Sequence, residues 1–112
     1  MSHLMQPPPE MVAYCDAAFD AKSKKACIGY ITGDMRYTDY KFVTVDNINE
    51  AEKLAVEMAM ERLKGKRLYT DSMYAVSSFP EGVVSYIARR NNIANIVVRS
   101  AMEMSRSKTK HL

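Results

Sequence analysis

Residues 49–72 read NEAEKLAVEMAMERLKGKRLYTDS, and the fold class turns on them because the hydrophobic period changes inside this stretch. Ala51, Leu54, Ala55, Met58 and Arg62 or Leu63 recur at intervals of three and four, the spacing of one helix face, until Gly65 stops the run. Asn49 with Glu52 three residues later has the spacing of a capping box, so an amphipathic helix is expected from there. Arg67 to Thr70 then reads as a short strand, and Ser72 to Phe79 as a short helix ended by Pro80.

Upstream, the pattern is that of strands. An apolar stretch from Met11 to Phe19 (MVAYCDAAF) is followed by the polar connector DAKSKK and a second stretch, ACIGYIT. Gly33-Asp34 has the form of a two-residue hairpin turn, and RYTDYKFVTV beyond it carries the Tyr, Thr, Phe and Val content of a third strand. Downstream, Gly82 to Arg89 reads as a strand, and Ile93, Ile96, Val97, Ser100, Ala101 and Met104 fall on one face of a closing helix. The order βββαβαβα predicts an α/β domain. Its mixed five-stranded sheet has three antiparallel strands then two parallel ones, with helices packed upon it.

A chain of 112 residues, 47% of them hydrophobic, fills one such core without metals or disulfides. Pro7, Pro8 and Pro9 favour extended geometry, so residues 1–10 are expected to form a flexible arm, with the domain over 11–104 and a basic tail over 105–112. No apolar run approaches the ~20 residues of a membrane helix, and Met1 to Met11 lacks the apolar centre of a secretory signal, so a cytoplasmic protein without membrane partners is expected. The net charge of +3 permits a nucleic-acid partner without demanding one. Cys15 and Cys27 are too few for a disulfide framework and have no further Cys or His ligand near them, which makes them small buried apolar residues. His3 and His111 both lie in the tails, away from any histidine-dependent catalysis. The nine methionines read as core filling.

Three carboxylates stand out. Asp16 lies inside an apolar strand, where a charge costs several kcal/mol unless it is paired or binds a metal. Glu52 borders the buried arc of its helix, stepping to Ala55, Val56 and Ala59, and Asp71 closes the fourth strand, where open α/β sheets present ligand-binding groups. Two of them have structural explanations as well: Asp71 or Ser72 can cap the next helix, and Glu52 can be the capping partner of Asn49. Asp16 has none, unless a lysine reaches it.

In these features the chain resembles the ribonuclease H family in its compact form. The family's opening Asp-Gly-Ser corresponds to Asp16-Ala17-Ala18, followed by a small-residue second strand at Ile28-Gly29-Tyr30. Its Asn-x-Ala-Glu helix start corresponds to Asn49-Glu50-Ala51-Glu52, its Thr-Asp-Ser stands unaltered at Thr70-Asp71-Ser72, and its Asn-x-x-Ala-Asp is matched by Asn91-Asn92-Ile93-Ala94-Asn95 except at the acid. The resemblance spans residues 11–104. It implies a metal-dependent endonuclease that cleaves the RNA strand of an RNA/DNA hybrid with two Mg²⁺ or Mn²⁺ ions ~4 Å apart. Asp16 would bridge both ions, Glu52 would hold the one on the leaving-group side and Asp71 would complete the cluster near the attacking water, with Asn95 as a fourth, uncharged ligand. Asn49 and Ser72 would meet 2′-hydroxyl and backbone groups along the minor groove, and Arg89 and Arg90 would contact phosphates.

The chain departs from the family's pattern in several places. Asn95 replaces the fourth acid, no histidine precedes the last helix, and there is no tryptophan-containing basic protrusion. A catalytically weak or inactive relative, binding nucleic acid or a protein partner on the same fold, is therefore the alternative reading. A DNA resolvase or exonuclease of the superfamily is a third, because fold does not fix substrate.

Overall fold

The computed structural model describes residues 7–110, with side chains up to residue 107. The expectations for His3, His111 and the first six residues therefore lie outside the described residues. Three strands open the fold: β1 (Val12–Asp20), β2 (Lys25–Thr32) and β3 (Thr38–Thr44). Helix α1 (Ile48–Arg62), strand β4 (Arg67–Thr70), helix α2 (Met73–Ser77), strand β5 (Val84–Tyr86) and helix α3 (Ala94–Lys110) follow. The strands form one mixed sheet in the order β3-β2-β1-β4-β5, antiparallel across the first three and parallel from β1 to β4 to β5. This is the α/β architecture expected from the residue pattern.

Strand alternation sends neighbouring residues to opposite faces of the sheet and so divides the core. Ala13, Cys15, Ile28 and Tyr30 pack with Ala51, Ala55, Val56 and Ala59 of α1. Cys27, with Ala18 against it, packs with Val98, Ala101 and Met102 of α3. Both cysteines are free and buried. Gly29 lets α3 lie close, since a Cβ there would stand 3.1 Å from Val98 Cγ1 of the helix, and also 2.9 Å from Asp39 O of the neighbouring β3.

Several local expectations are corrected. Helix α1 begins at Ile48 because the same N-x-x-E spacing occurs two residues earlier: Asn47 Oδ1 accepts from Glu50 N at 2.9 Å, and Glu50 Oε1 accepts from Asp46 N at 3.0 Å. Asn49 and Glu52 are not the capping pair. The β2–β3 connection is a loop over residues 33–37 instead of a two-residue turn. It is closed by Thr32 N to Tyr37 O at 2.9 Å, with Met35 in the left-handed region at φ 63°. Gly33 serves close approach there, as a Cβ on it would lie 2.7 Å from Pro9 O.

The proline run is not wholly an extended arm. Pro9–Met11 forms a 3₁₀ turn with proline in its first positions, where no amide hydrogen is needed, and Lys66 Nζ donates to Glu10 O at 2.7 Å. At the other end α3 continues to Lys110, through residues expected to be tail. Strand β5 is shorter than Gly82–Arg89 because it pairs only along β4, from Leu68↔Val84 to Thr70↔Tyr86. The buried face of α3 is also rotated: Ala94, Val98, Ala101 and Met102 are buried, whereas Ile96 is 68% exposed and Met104 60%. Val98 seats over Gly29 and Met102 packs beside it, so the contact face is set by that close fit and not by the most apolar stripe of the helix. Met58 and Met102 fill core, but Met11, Met35, Met60, Met73 and Met104 are exposed. Among the described residues no helix is long and apolar enough to cross a membrane.

Candidate metal centre and active-site cleft

The parallel pairing of β1 with β4 ends at Cys15↔Thr70, and the next residues along the chain are Asp16 and Asp71. A carboxylate at each place stands in the crevice beyond the strand ends, where β1 has an antiparallel neighbour on one side and a parallel one on the other. The first turns of α1 bring Glu52 to the same point, between the buried Ala51 and Ala55. Asp16, Glu52 and Asp71 each offer an oxygen, and these ligand atoms lie within 4.8 Å of one another.

Neighbouring groups perform the structural tasks that the sequence left open. Asn47 caps α1, leaving Glu52 free. Ser72 Oγ accepts from Ala75 N at 3.1 Å and caps α2, leaving Asp71 free. Glu52 Oε1 and Asp71 Oδ2 are buried with no hydrogen-bond partner. An unpaired buried carboxylate oxygen is costly, and three together repel one another.

The ionisation of the cluster reflects that conflict. Burial, with the Asp71 charge beside it, pushes Asp16 up to about 6, although Ala17 N–H and the Asn95 amide oppose the rise. Burial and the charges of Asp16 and Asp71 push Glu52 up to about 9. Asp71 is raised by burial, with Arg89 and the Asn92 amide pulling it back. Hard oxygen donors, excess negative charge and orphaned lone pairs suit a divalent cation of the Mg²⁺ or Mn²⁺ type.

The N-terminal end of α3 completes the site. Asn92 is buried; its Nδ2 donates to Cys15 O at 2.9 Å, and its Oδ1 accepts from Ala94 N at 3.1 Å. One side chain thus caps the start of the helix and ties it to β1 beside Asp16. That anchoring brings Asn95 over the cluster, where Nδ2 donates to Asp16 Oδ2 at 3.1 Å and Oδ1 faces Arg99 Nη1 at 3.5 Å. In this arrangement Asn95 gives the carboxylates a hydrogen-bond donor and turns its oxygen, the ligand atom expected of it, away.

The carboxylates floor a cleft of about 340 Å³ whose rim includes Asn49, Ser72 and Arg89. Arg90 is exposed and does not line it. Both arginines lie in the 3₁₀ turn Arg89–Asn91, where successive side chains diverge by about a third of a turn. Ile48, Met73 and Tyr74 also border the cleft, and residue spacing gave no reason to single them out. Asn92 was legible in principle, as an asparagine just ahead of a helix is a capping signal.

The sequence matches the family model of RNase H over residues 8–110, nearly its full length, and the chain belongs to that family. No curated protein matches it.

Proposed function

We propose that the chain is a divalent-metal-dependent endoribonuclease that cleaves the RNA strand of RNA/DNA hybrids. The observation carrying this reading is the convergence of Asp16, Glu52 and Asp71, from three separate elements, within 4.8 Å at the strand ends of an RNase H fold. These residues would hold two Mg²⁺ or Mn²⁺ ions, which when bound supply charge neutralisation at a phosphodiester and Lewis-acid activation of water.

The rest is the work of this chain's own side chains. Asn95 fixes one oxygen of Asp16 by donating to it, and Asn92 keeps α3 at the distance this requires. Arg89, on the cleft rim, offers a guanidinium to a phosphate, the geometry best suited to a planar two-point contact. Asn49 and Ser72 place an amide and a hydroxyl where 2′-hydroxyls would pass, the group that distinguishes RNA from DNA.

The test is a gel assay of end-labelled hybrid, duplex DNA and duplex RNA with Mg²⁺ or Mn²⁺. Cleavage of the hybrid's RNA strand alone, abolished by chelator, is expected; cleavage in excess chelator, or of duplex DNA in preference, overturns the reading. A second reading, a weak or inactive binding module, draws on one observation, the donor that Asn95 turns toward Asp16 in place of an acid. Tight hybrid binding with no cleavage at any metal concentration would select it.

A further inference from the structure

A second groove, of about 490 Å³, continues from the carboxylate cleft and shares Ala17, Ile48 and Arg89 with it. Its floor is Ala18, Phe19 and Met102, and its outer wall is a stripe of α3. Asn95, Arg99, Met102, Glu103 and Arg106 line it at intervals of four, three, one and three, so they project from one helix face. Of the charged residues lining it, Arg89, Arg99 and Arg106 are cationic and only Glu103 is acidic. Arg89 is within electrostatic reach of Asp71 and Arg106 of Asp20, but the ion pair in direct contact among the described residues joins Arg62 to Asp39 and engages none of the three groove arginines.

We infer that this groove holds the continuation of the scissile strand, with Arg99 and Arg106 contacting its phosphates. The inference rests on the nuclease reading for the identity of the strand and deepens it by giving the substrate a direction across the surface. Arg99 and Arg106 are seven residues apart, or ~10 Å along the helix, which for a duplex whose axis runs along α3 matches about three nucleotide steps of ~3.4 Å axial rise. From Asn95, beside Asp16, to Arg106 the helix rises ~16 Å, or about five nucleotide steps. The apolar floor makes no hydrogen bonds to base edges, so the contact is with the backbone and independent of sequence.

The experiment measures binding and needs no turnover. Fluorescence anisotropy of a labelled hybrid in chelator is recorded against salt for the wild type, R99A/R106A, R99K/R106K and the control K64A/R67A. The control removes two charges at the opposite end of β4. R99A/R106A is expected to weaken binding about tenfold and to flatten the plot of log affinity against log salt by about two units, one for each phosphate left without its arginine. R99K/R106K is expected to keep the wild-type slope, and the control to change affinity less than about twofold. A second measurement uses the wild-type protein alone: uncharged methylphosphonate linkages scanned along the RNA strand should weaken binding at two positions about three nucleotides apart. Wild-type binding by R99A/R106A, an equal drop in the control, or a flat methylphosphonate scan overturns the inference. Arginine-dependent binding without metal-dependent cleavage would leave the groove standing and remove the hydrolase, and cleavage without arginine dependence would do the reverse.

Discussion

Replacing Glu52 by glutamine should stabilise the metal-free protein, and by an amount that depends on pH. Glu52 is pushed up to about 9 from an ordinary value of 4.5 by burial and by the charges of Asp16 and Asp71. The folded chain therefore keeps a proton that the unfolded chain releases. The penalty is absent below about pH 4.5, grows as pH rises and is complete near 9. At pH ~8 the ordinary value lies ~3.5 units below the solution, and at ~1.4 kcal/mol per unit the cost developed by that pH is ~5 kcal/mol. Three carboxylates share that cost, so one neutral amide recovers a part of it, on the order of 2–3 kcal/mol. In a domain of this size that is a rise in Tm of roughly 10 °C, shrinking to ~2 °C at pH ~5.

The assay is thermal unfolding in chelator at both pH values, followed by circular dichroism. Added Mg²⁺ should raise the wild-type Tm more at the higher pH, by neutralising the same cluster, and should leave E52Q nearly unmoved. A gain from E52Q that is equal at the two pH values, or a loss at pH ~8, would refute the claim that the triad is held together against its own repulsion.

Asp16→Asn and Asp71→Asn should each reduce hybrid cleavage by three orders of magnitude or so while leaving the circular dichroism spectrum intact, because a metal cluster fails as a unit; near-normal rates in either would disprove the site. Asn95→Asp should lower the Mg²⁺ concentration needed for half-maximal rate and narrow the advantage of Mn²⁺, and an unmoved metal titration would place residue 95 outside the centre. Gly29→Ala should cost about 1–3 kcal/mol and impair cleavage, since the new Cβ meets Asp39 O of β3 at 2.9 Å and, at 3.1 Å, Val98 of the helix that carries Asn95; an unchanged Tm would show that α3 does not depend on close approach at Gly29.

The reasons why some features were legible in the sequence, and others not, lie in the physics of each signal. Strand β4 was readable to the residue because RLYT lies between Gly65 and the helix-capping Ser72, both strong local punctuation. Asp16 was readable because a carboxylate in an apolar strand has few inexpensive explanations. The start of α1 was misplaced because asparagine and glutamate three apart occur twice, at 47 and 50 and again at 49 and 52, and a local motif cannot choose between overlapping copies of itself. What chose was tertiary: starting the helix at Ile48 lets Asn47 and Glu50 satisfy the exposed amides and leaves the Glu52 side chain to face the sheet.

The rotation of α3 has the same origin and a functional consequence. Hydrophobicity ranks Ile96 and Met104 above Ala94 and Ala101, but the Asn92–Cys15 hydrogen bond and the seat of Val98 over Gly29 fix which face meets the sheet, and that face carries Ala94, Val98, Ala101 and Met102. That same rotation carries Asn95 inward to Asp16 and lines Arg99 and Arg106 along the adjoining groove. Had the helix packed on its most apolar stripe, Ile96 and Met104 would face the sheet, and the stripe now bearing Asn95 and the arginines would be turned from its present neighbours. The exposure of two large apolar residues is thus coupled, through helix geometry, to the placement of the polar ones at the site.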